Sequence, residues 1–421
     1  MGVMAKQQTT RPGYKQSVVG VIPDEWESPK VGAVCGWIVP GRNKPKRFDG
    51  DIPWITTPDL EDGKTVTRSR ISLCISRDEA KAVGSKIVPP GSVLMSCAGE
   101  LGIVALTKNE IVVNQQLHVF IPTGRIDGKF LLYALAHQKR HIASLATKTA
   151  VPYLNKNNCN SIPIPLPPLP EQRIIAITLS DVDGLIAWLD RLISKKRDLK
   201  QATMQQLLTG KRRLLGFAGE WEVKTLGKLG QISGAGVDKK IHPDEPPVRL
   251  VNYMDVYRHN FIYSKDLDHF VSARPEHAAR CAVKRGDVFF TPSSEMPFDI
   301  AVSAVAMEDI PDAAYSYHVV RLRLDECWDL LFRAYAFKSQ EFLNQAARAC
   351  EGSGVRYVIT QGKFRQLSVR FPPTKEEQAA IGSVLSDIDG ELAALEQRRD
   401  KARALKQGMM QELLTGNTRL I

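Results

Sequence analysis

Residues Glu171–Gly210 read EQRIIAITLSDVDGLIAWLDRLISKKRDLKQATMQQLLTG, and residues Glu377–Gly416 read EQAAIGSVLSDIDGELAALEQRRDKARALKQGMMQELLTG. The two stretches align without gaps and are identical at roughly half of their positions, far more than two unrelated helices would share. Self-similarity at a fixed offset is the sequence signature of a repeated architecture. The chain therefore contains the same helical segment twice.

Apolar residues in both copies recur at alternating steps of four and three, which is the pattern of a coiled-coil seam. The predicted helix-pairing and partner-contact residues are Ile175, Leu179, Val182, Ile186, Leu189, Ile381, Leu385, Ile388, Leu392 and Leu395. The seam weakens at Lys196 and Arg399. We expect it to resume with Leu199, Met204, Leu207 and Leu208, and in the second copy with Leu405, Met410, Leu413 and Leu414.

Both helices carry start and stop signals. Prolines precede them at Pro167, Pro168, Pro170, Pro372 and Pro373, and proline is tolerated at or before a helix start. Gly210 and Gly416 follow Leu-Leu-Thr, as C-terminal capping glycines do. At 1.5 Å per residue, each helix would extend roughly 60 Å. We interpret the basic run KKRDLK (195–200) as a solvated helix face.

The parts between the helices repeat more loosely. Trp26 and Trp221 lie at equivalent positions, where we expect structural anchors, and AVPYLNK around Tyr153 parallels GVRYVIT around Tyr357. Short strand-like runs dominate these parts. The predicted fold is α+β: two globular mixed α/β domains (1–160 and 216–366), separated by two long antiparallel coiled-coil helical regions (161–215 and 367–421), with an internal pseudo-twofold repeat.

Composition favours a polyanionic partner, because 57 Lys and Arg against 46 Asp and Glu give a net charge of +11 and a pI near 9.2. The seven cysteines are scattered and show no C-x-x-C spacing, which argues against a disulfide framework. The N-terminus lacks the apolar core of a signal peptide, and no apolar run is long enough to cross a bilayer. We therefore expect a cytoplasmic protein with no membrane partner.

No pattern for catalysis, cofactor binding or metal binding stands out. A methyltransferase needs an Asn/Asp-Pro-Pro-aromatic loop for a flipped base, and DEPPV (244–248) lacks the aromatic. A phosphate-binding G-x-x-x-x-G-K-[ST] loop is absent, and ISGAGVD (232–238) is followed by lysines and prolines rather than a helix. His137 and His141 have no usefully spaced third metal ligand. We expect no catalytic, cofactor or metal residue in this chain.

Basic clusters in loops are the candidates for contact with DNA, since such residues neutralise phosphates and an arginine can read guanine. The candidates are Arg42, Lys44, Lys46, Arg47, Arg68, Arg70, Lys239, Lys240, Arg249, Arg258 and His259. A solvated surface loop explains any one of them about equally well. For the aromatics Tyr253, Tyr257, Phe261 and Tyr263, core packing is favoured over base stacking.

Several ordered motifs resemble the specificity subunits of type I restriction-modification systems. These are IPDEWE near the start, NQQLHVFIP (114–122), PLPPLPEQ (165–172) opening the first helical region, and LLTGKRRLLGF (207–217) leading into the second domain. The resemblance covers essentially the whole chain. The second copy departs from it, because AYSYHVVRL replaces NQQLHVFIP and PPTKEEQ carries fewer prolines. These departures affect boundaries rather than architecture.

The resemblance implies that the two globular domains are target-recognition domains, each of which reads one half of a bipartite, asymmetric site in double-stranded DNA, while the helices set the spacer. It also implies docking of two methyltransferase subunits, which methylate adenine with S-adenosylmethionine, and recruitment of restriction subunits that use ATP and Mg²⁺. Catalysis would then lie in the partners. Two alternatives stay open: the same subunit in a related type II system that cuts on both sides of its site, and a coiled-coil assembly scaffold that binds no DNA.

Overall fold

A computed structural model of the protein describes residues 11–41, 43–147 and 149–420. It divides the chain into two compact units. The first unit takes in the chain up to Leu189 and the segment from Arg398 onward, and the second consists of Asp190–Gln397. Each long helix contributes one part to each unit. The predicted boundaries follow chain order and stay a prediction, because the compact units divide both helical regions.

The described residues of the first unit form ten strands, five short helices and parts of both long helices. The strands are β1 (Tyr14–Ser17), β2 (Gly20–Pro23), β3 (Cys35–Ile38), β4 (Ile52–Ile55), β5 (Lys64–Val66), β6 (Cys74–Ile75), β7 (Val93–Ser96), β8 (Val104–Thr107), β9 (Val112–Val113) and β10 (Leu117–Pro122). The helices are α1 (Val31–Val34), α2 (Arg77–Ala82), α3 (Gly128–His137), α4 (Lys139–Ser144), α5 (Lys156–Asn160) and the long α6 (Leu169–Leu207), with a 3-10 turn at Thr57–Asp59.

A five-stranded sheet, in the order β3-β10-β7-β8-β5, organises the first unit. Its strands pair antiparallel except for β5, which lies parallel to β8. A smaller sheet places β4 antiparallel to β6 and parallel to β9. One core surrounds the buried Trp26 and Phe130 and includes Ile175, Leu179 and Leu413 from the long helices. The globular part and the helices therefore share one core.

The described residues of the second unit form fourteen strands, six short helices and parts of both long helices. The strands are β11 (Glu222–Thr225), β12 (Gly230–Ser233), β13 (Pro247–Val251), β14 (Phe261–Ile262), β15 (Phe270–Ser272), β16 (Ala282–Val283), β17 (Val288–Phe290), β18 (Ser293–Ser294), β19 (Ser303–Ala306), β20 (Ile310–Tyr315), β21 (Val320–Leu324), β22 (Glu351–Ser353), β23 (Arg356–Val358) and β24 (Ser368–Phe371). The helices are α7 (Leu226–Leu229), α8 (Tyr253–Arg258), α9 (Pro275–Arg280), α10 (Leu330–Ala336), α11 (Gln340–Ala349), α12 (Gln361–Gln366) and the long α13 (Lys375–Thr415), with 3-10 turns at Ser264–Asp266 and Pro297–Asp299.

The second unit repeats the topology of the first. Its five-stranded sheet has the order β12-β21-β17-β19-β14, antiparallel except for the parallel pair β14 and β19. Beside it, β13 is antiparallel to β15 and parallel to β20, as β4 is to β6 and β9. The repeat predicted from two similar helices therefore extends to domains whose sequences barely match.

The two predicted long helices are confirmed, and they run antiparallel inside each unit. Along α6, residues of rising number pair with residues of falling number in α13 and the segment after it. In the first unit, Asp183 of α6 pairs with Lys406 of α13, and Glu171 of α6 pairs with Arg419, just beyond the end of α13. In the second unit, the pairs Arg197–Glu396 and Lys200–Asp389 join α6 and α13. The basic run 195–200 is therefore not simply a solvated face. Lys196, Arg197 and Lys200 pair with acidic side chains of α13.

The predicted seam is mostly buried, with one systematic error. Ile175, Leu179, Leu189, Ile381, Leu385 and Leu392 are buried, and Val182, Ile186, Ile388 and Leu395 are half-buried. However, Leu199 and Leu405 are 52% and 59% exposed. The steps of three and four continue through Lys200 and Lys406, so the leucines lie one position, about 100°, away from the seam.

The ends of the helices agree with the predicted signals. Gly210 and Gly416 have φ angles of 70° and 71°, the left-handed conformation that favours glycine at a helix C-terminus. Pro167 and Pro168 precede α6 while Pro170 lies in its first turn, and Pro372 and Pro373 precede α13. Within the part of the chain that the structure describes, no helix is long and apolar enough to span a membrane.

Candidate nucleic-acid interface

Three segments meet on one surface of each domain, which we call the recognition face. They are the turn after β4 or β13, the loop after β7 or β17, and the segment that carries Tyr153 or Tyr357. Each turn is a capping box, formed by Thr56 and Asp59 in the first domain and by Asn252 and Asp255 in the second. The box fixes the first turn of the following helix by reciprocal hydrogen bonds. Equivalent loops are therefore held in equivalent ways.

In the first domain, hydrogen bonds draw the face together around the turn Asn114–Gln116. The Thr57 hydroxyl donates to Gln116 Oε1 at 3.4 Å, and the Cys97 amide donates to the Gln116 carbonyl at 2.8 Å. The Gly99 amide donates to the Pro152 carbonyl at 3.0 Å, which attaches the third segment. A cavity of about 250 Å³ opens here, lined by the amide side chains and by Lys44 and Trp54.

The amide side chains of this turn are functional candidates that reasoning from charge missed. Asn114 Nδ2 donates to Gln116 Oε1 at 3.2 Å, and the Gln116 amide donates to Asn114 Oδ1 at 3.2 Å. Among the described residues, the exposed Gln115 side chain has no hydrogen-bond partner. Asn and Gln read adenine through paired donor and acceptor contacts in the major groove. The NQQ triplet in the sequence was the available signal.

The structure separates the basic candidates of the first domain. Lys44 joins the recognition face, whereas Arg47 and Arg70 pair with Glu79 at 3.3 Å and with Glu61 at 3.4 Å. Lys46 and Arg68 are exposed. Arg42 lies outside the described residues. Contact with DNA stays a prediction for all of them, and Lys44 has the most suitable position.

In the second domain, Lys239 has the equivalent position, in the loop after β12. The pKa of His318 is lowered by burial and by the positive charges of Lys239 and Arg356. Lys240, Arg258 and His259 are exposed. Arg249 instead lies in β13, where its guanidinium donates to Ser264 and pairs with Asp312 at 3.0 Å. Since Arg249 already has these partners, it is the least accessible candidate.

The aromatic residues of α8 lie on this face rather than in the core. Tyr253 and Tyr257 stack with ring centroids 5.9 Å apart and planes inclined by 16°. Tyr257 is 37% exposed, and Tyr253 is half-buried. The expectation of core packing is therefore wrong for Tyr257, because the helix turns this residue toward the cavity of about 490 Å³ that it lines. Phe261 and Tyr263 are half-buried.

A twin cluster joins each domain to both long helices. In the first unit, the Tyr133 hydroxyl donates to Asp183 Oδ2 at 2.7 Å, and Lys406 Nζ lies 2.7 Å from Asp183 Oδ1. Burial and the aspartate together raise the pKa of Tyr133. The tyrosine therefore stays a donor, and the aspartate is held between a domain residue and a residue of α13.

The second unit repeats this cluster residue for residue. The Tyr335 hydroxyl donates to Asp389 Oδ2 at 2.7 Å, and Lys200 Nζ lies 2.5 Å from Asp389 Oδ1. Burial and Asp389 raise the pKa of Tyr335. Asn260 adds a donor to Asp389 at 2.8 Å, and among the described residues no such donor reaches Asp183. The same two helices therefore contact both domains through the same tyrosine, aspartate and lysine side chains.

A second twin cluster lies at the helix starts. Glu171, fully buried, accepts from Trp26 Nε1 at 3.0 Å and from Arg419 at 2.5 and 2.9 Å. In the second unit, the buried Glu377 accepts from Arg213 at 2.5 and 2.6 Å. Trp26 is a structural anchor as expected, while Trp221 is only half-buried.

The helices also expose apolar side chains that the domain cores do not use. Ile177, Leu185 and Trp188 of α6 are 58%, 39% and 47% exposed in the first unit. Their spacings of eight and three place them on one face of the helix. Nearby residues of α13 and the C-terminal segment, including Leu405 and Met409, line a largely apolar cavity of about 560 Å³. Exposed apolar surface of this kind is typical of protein interfaces.

Within residues 11–41, 43–147 and 149–420, no group of three or more His, Cys, Asp or Glu side chains is placed to hold a metal ion. His137 has a lowered pKa because it is partly buried. His118 is also buried, its Nε2 lies 3.0 Å from Asn160 Oδ1, and burial lowers its pKa to about 4. A neutral ring that donates to Asn160 explains this geometry, so His118 has a structural role.

Two domains of one topology, each clamped to the same pair of helices and each with a polar recognition face, define a duplicated recognition protein. Residues 23–195 and 218–403 match the family described as the type I restriction modification DNA specificity domain. The chain therefore belongs to the family of DNA specificity subunits of type I restriction-modification systems.

Individual relatives agree with this assignment. The chain is 24% identical to the type I restriction enzyme MjaVIII specificity subunit of Methanocaldococcus jannaschii over 420 residues, 95% of this chain and 94% of that protein. It is 29% identical to the MjaIX specificity subunit of the same organism over 178 residues, 41% of each chain. The crystal structure of a type I S subunit from M. genitalium is similar in fold, with a TM-score of 0.56, 15% identity and coverage of 92% and 96% of the two chains.

Proposed function

We propose that each recognition domain reads one half of a bipartite, asymmetric site in double-stranded DNA. The two long helices set the spacer between the half-sites. Each domain would contact its half-site through the recognition face, with Lys44 in the first domain and Lys239 in the second neutralising phosphates. One contrast carries this proposal. The clusters that join the two domains to the long helices are alike, whereas the recognition faces differ, with Asn114–Gln116 on the first domain and Tyr257 and Arg356 on the second.

The same helices would dock two methyltransferase subunits. Twin clusters around Asp183 and Asp389 give the protein two equivalent helix surfaces, as two copies of one partner require. The exposed Ile177, Leu185 and Trp188 supply apolar contact area. Restriction subunits would join this core. S-adenosylmethionine, ATP and Mg²⁺ would be bound by these partners, which would carry the adenine methylation and cleavage activities, and this chain would be non-catalytic.

The test is to express the chain with the methyltransferase subunit encoded beside it, in a host without adenine methylation, and to sequence the modified bases. We expect one two-part motif with a fixed spacer, because each domain fixes one half. The chain alone and the methyltransferase alone are the controls, and neither should modify DNA. Methylation by the isolated chain, or a continuous motif, would contradict the proposal.

Binding to random duplexes distinguishes this function from that of a protein-binding scaffold. Phosphate contacts make DNA affinity fall steeply as salt rises, whereas a scaffold would show no such affinity. The type II alternative shares the same two-copy architecture, and the genes that neighbour this one would decide it. The cytoplasmic location expected from the sequence stays a prediction.

A further inference from the structure

A short β-hairpin stands on the recognition face of the second domain. β22 and β23 pair Ser353 with Arg356, so that Gly354 and Val355 form the two-residue turn. Gly354 has a φ of 64°, and a Cβ on Gly352 would lie 2.1 Å from the Arg356 carbonyl oxygen, so both positions require glycine. Val355 is 83% exposed at the tip. A two-stranded ribbon of this kind fits the major groove of B-DNA.

The hairpin is held firmly to the rest of the face. β23 pairs with β18, where Tyr357 lies opposite Ser294. The Tyr253 hydroxyl donates to the Ser293 carbonyl at 2.8 Å, and the Tyr257 hydroxyl donates to Asp299 at 2.6 Å. The stacked tyrosines, β18 and the hairpin therefore form one rigid surface around the cavity of about 490 Å³. A reading side chain needs such support to hold its geometry.

Arg356 is the cation that this surface presents. Its side chain is exposed and lines the cavity, and among the described residues it has neither a hydrogen-bond nor an ion-pair partner. Glu295, also exposed, and Asp299 line the same cavity. Carboxylates would repel a phosphate, so the cavity does not suit the DNA backbone. A guanidinium and a carboxylate that line one cavity instead match the edge of a G·C pair, with acceptors on guanine and a donor on cytosine.

We infer that Arg356 reads a guanine in the half-site of the second domain, donating to O6 and N7 in the major groove, and that Glu295 accepts from the amino group of the paired cytosine. This inference rests on the proposed function of the recognition face. It assigns a specificity-determining residue to one domain only.

The first domain provides an internal comparison. AVPYLNK aligns with GVRYVIT, so Pro152 stands where the second domain has Arg356. Ala98 bridges to Tyr153 much as Ser294 pairs with Tyr357, so the two segments occupy equivalent places. Proline has no donor to offer a base. The first half-site must therefore be read by other groups, and a change at Arg356 should affect one half-site alone.

The experiment compares the wild-type complex with complexes that carry Arg356→Lys or Arg356→Gln, each made with the neighbouring methyltransferase subunit and scored by sequencing of methylated adenines. Lysine keeps the charge but loses the paired donors. Arg348→Lys, at an exposed position of α11, is the matched control. We expect one G·C position in one half-site to become degenerate, with discrimination there falling about tenfold to a hundredfold. The other half-site and the spacer should not change.

Each outcome decides the inference. Arg356 is not a base reader if both variants keep every position of the wild-type motif. It is a backbone contact instead if Arg356→Gln weakens binding to random duplexes while Arg356→Lys, which keeps the charge, preserves that binding and every position of the motif. Retained binding to random duplexes by Arg356→Lys also shows that the variant is folded. A wild-type complex without any two-part motif would overturn the proposed function and this inference together, whereas an intact wild-type motif with unaffected variants overturns the inference alone.

Discussion

Glu171 is a carboxylate without exposure to solvent, and its charge is stabilised by Trp26 and by both donating nitrogens of Arg419. Arg419 lies three residues after Gly416, beyond the end of α13, and Arg213 lies three residues after Gly210, beyond the end of α6, so the two arginines are equivalent in the repeat. Burial of a charge is tolerated only when it is paired and hydrogen-bonded. The cluster therefore depends on both Glu171 and Arg419, although only Glu171 lies within a helix.

Arg419→Ala should destabilise the first unit by about 3 kcal/mol, because removal of one partner leaves a buried carboxylate uncompensated. Arg125→Ala is the control. Arg125 pairs with Glu27 at 2.9 Å on the surface, where such a pair contributes at most about 1 kcal/mol. Guanidinium unfolding of the full chain measures both. Equal losses of unfolding free energy in the two variants would show that the Arg419–Glu171 pair contributes no more than a surface ion pair.

The long helices were predictable from sequence, since a seam at steps of three and four and terminal glycines depend only on local pattern. The prediction is wrong at Leu199 and Leu405 because, where the apolar pattern weakens, hydrophobicity alone favours the leucine over the lysine that follows it. Lys200 and Lys406 take these places because each reaches an aspartate on the other long helix, and that partner is invisible locally. The strand order of the domains is equally non-local, so its repetition in the two five-stranded sheets could not be foreseen.

Leu179→Ala and Leu199→Ala test this correction. Leu179 is fully buried, so truncation should cost about 2 to 5 kcal/mol of unfolding free energy. Leu199 is half exposed, so the same truncation should cost about 0.5 kcal/mol or less. Thermal or denaturant unfolding of the two variants gives the comparison. Similar losses at both positions would restore the original seam and contradict the placement of Lys200.

At the scale of the whole molecule, the duplication was predictable and the recognition face only partly so. Charge identified Lys44, which lines the cavity of the first face, and Lys239, which follows β12 as Lys44 follows β3. It also selected Arg47 and Arg249, whose carboxylate partners Glu79 and Asp312 lie 32 and 63 residues further along the chain, and Arg70, whose partner Glu61 lies nine residues before it. Gln115 and Arg356 were missed because neither belongs to a basic cluster. The position of a side chain in the repeated fold, rather than its charge, distinguishes a side chain that could read a base from one with a structural role.

The proposed ruler gives the last prediction. α6 passes from the first unit to the second after Leu189, and α13 passes back after Gln397. Inserting seven residues at both places keeps the heptad phase of the seam. It adds about 10 Å of helix, equal to about three base pairs at 3.4 Å per step. We expect the methylated motif to keep both half-sites and to gain about three base pairs of spacer.

A matched control inserts seven residues in the turn between β1 and β2, after Val18, which is 75% exposed and belongs to neither helix. This insertion should leave the motif unchanged, because it alters neither the seam nor the twin clusters at Asp183 and Asp389. A spacer that stays constant after the paired helix insertions, in a complex that still methylates, would show that the gap is set elsewhere. The helices would then serve for assembly alone, and the divergent faces would have to fix their separation through the partner subunits.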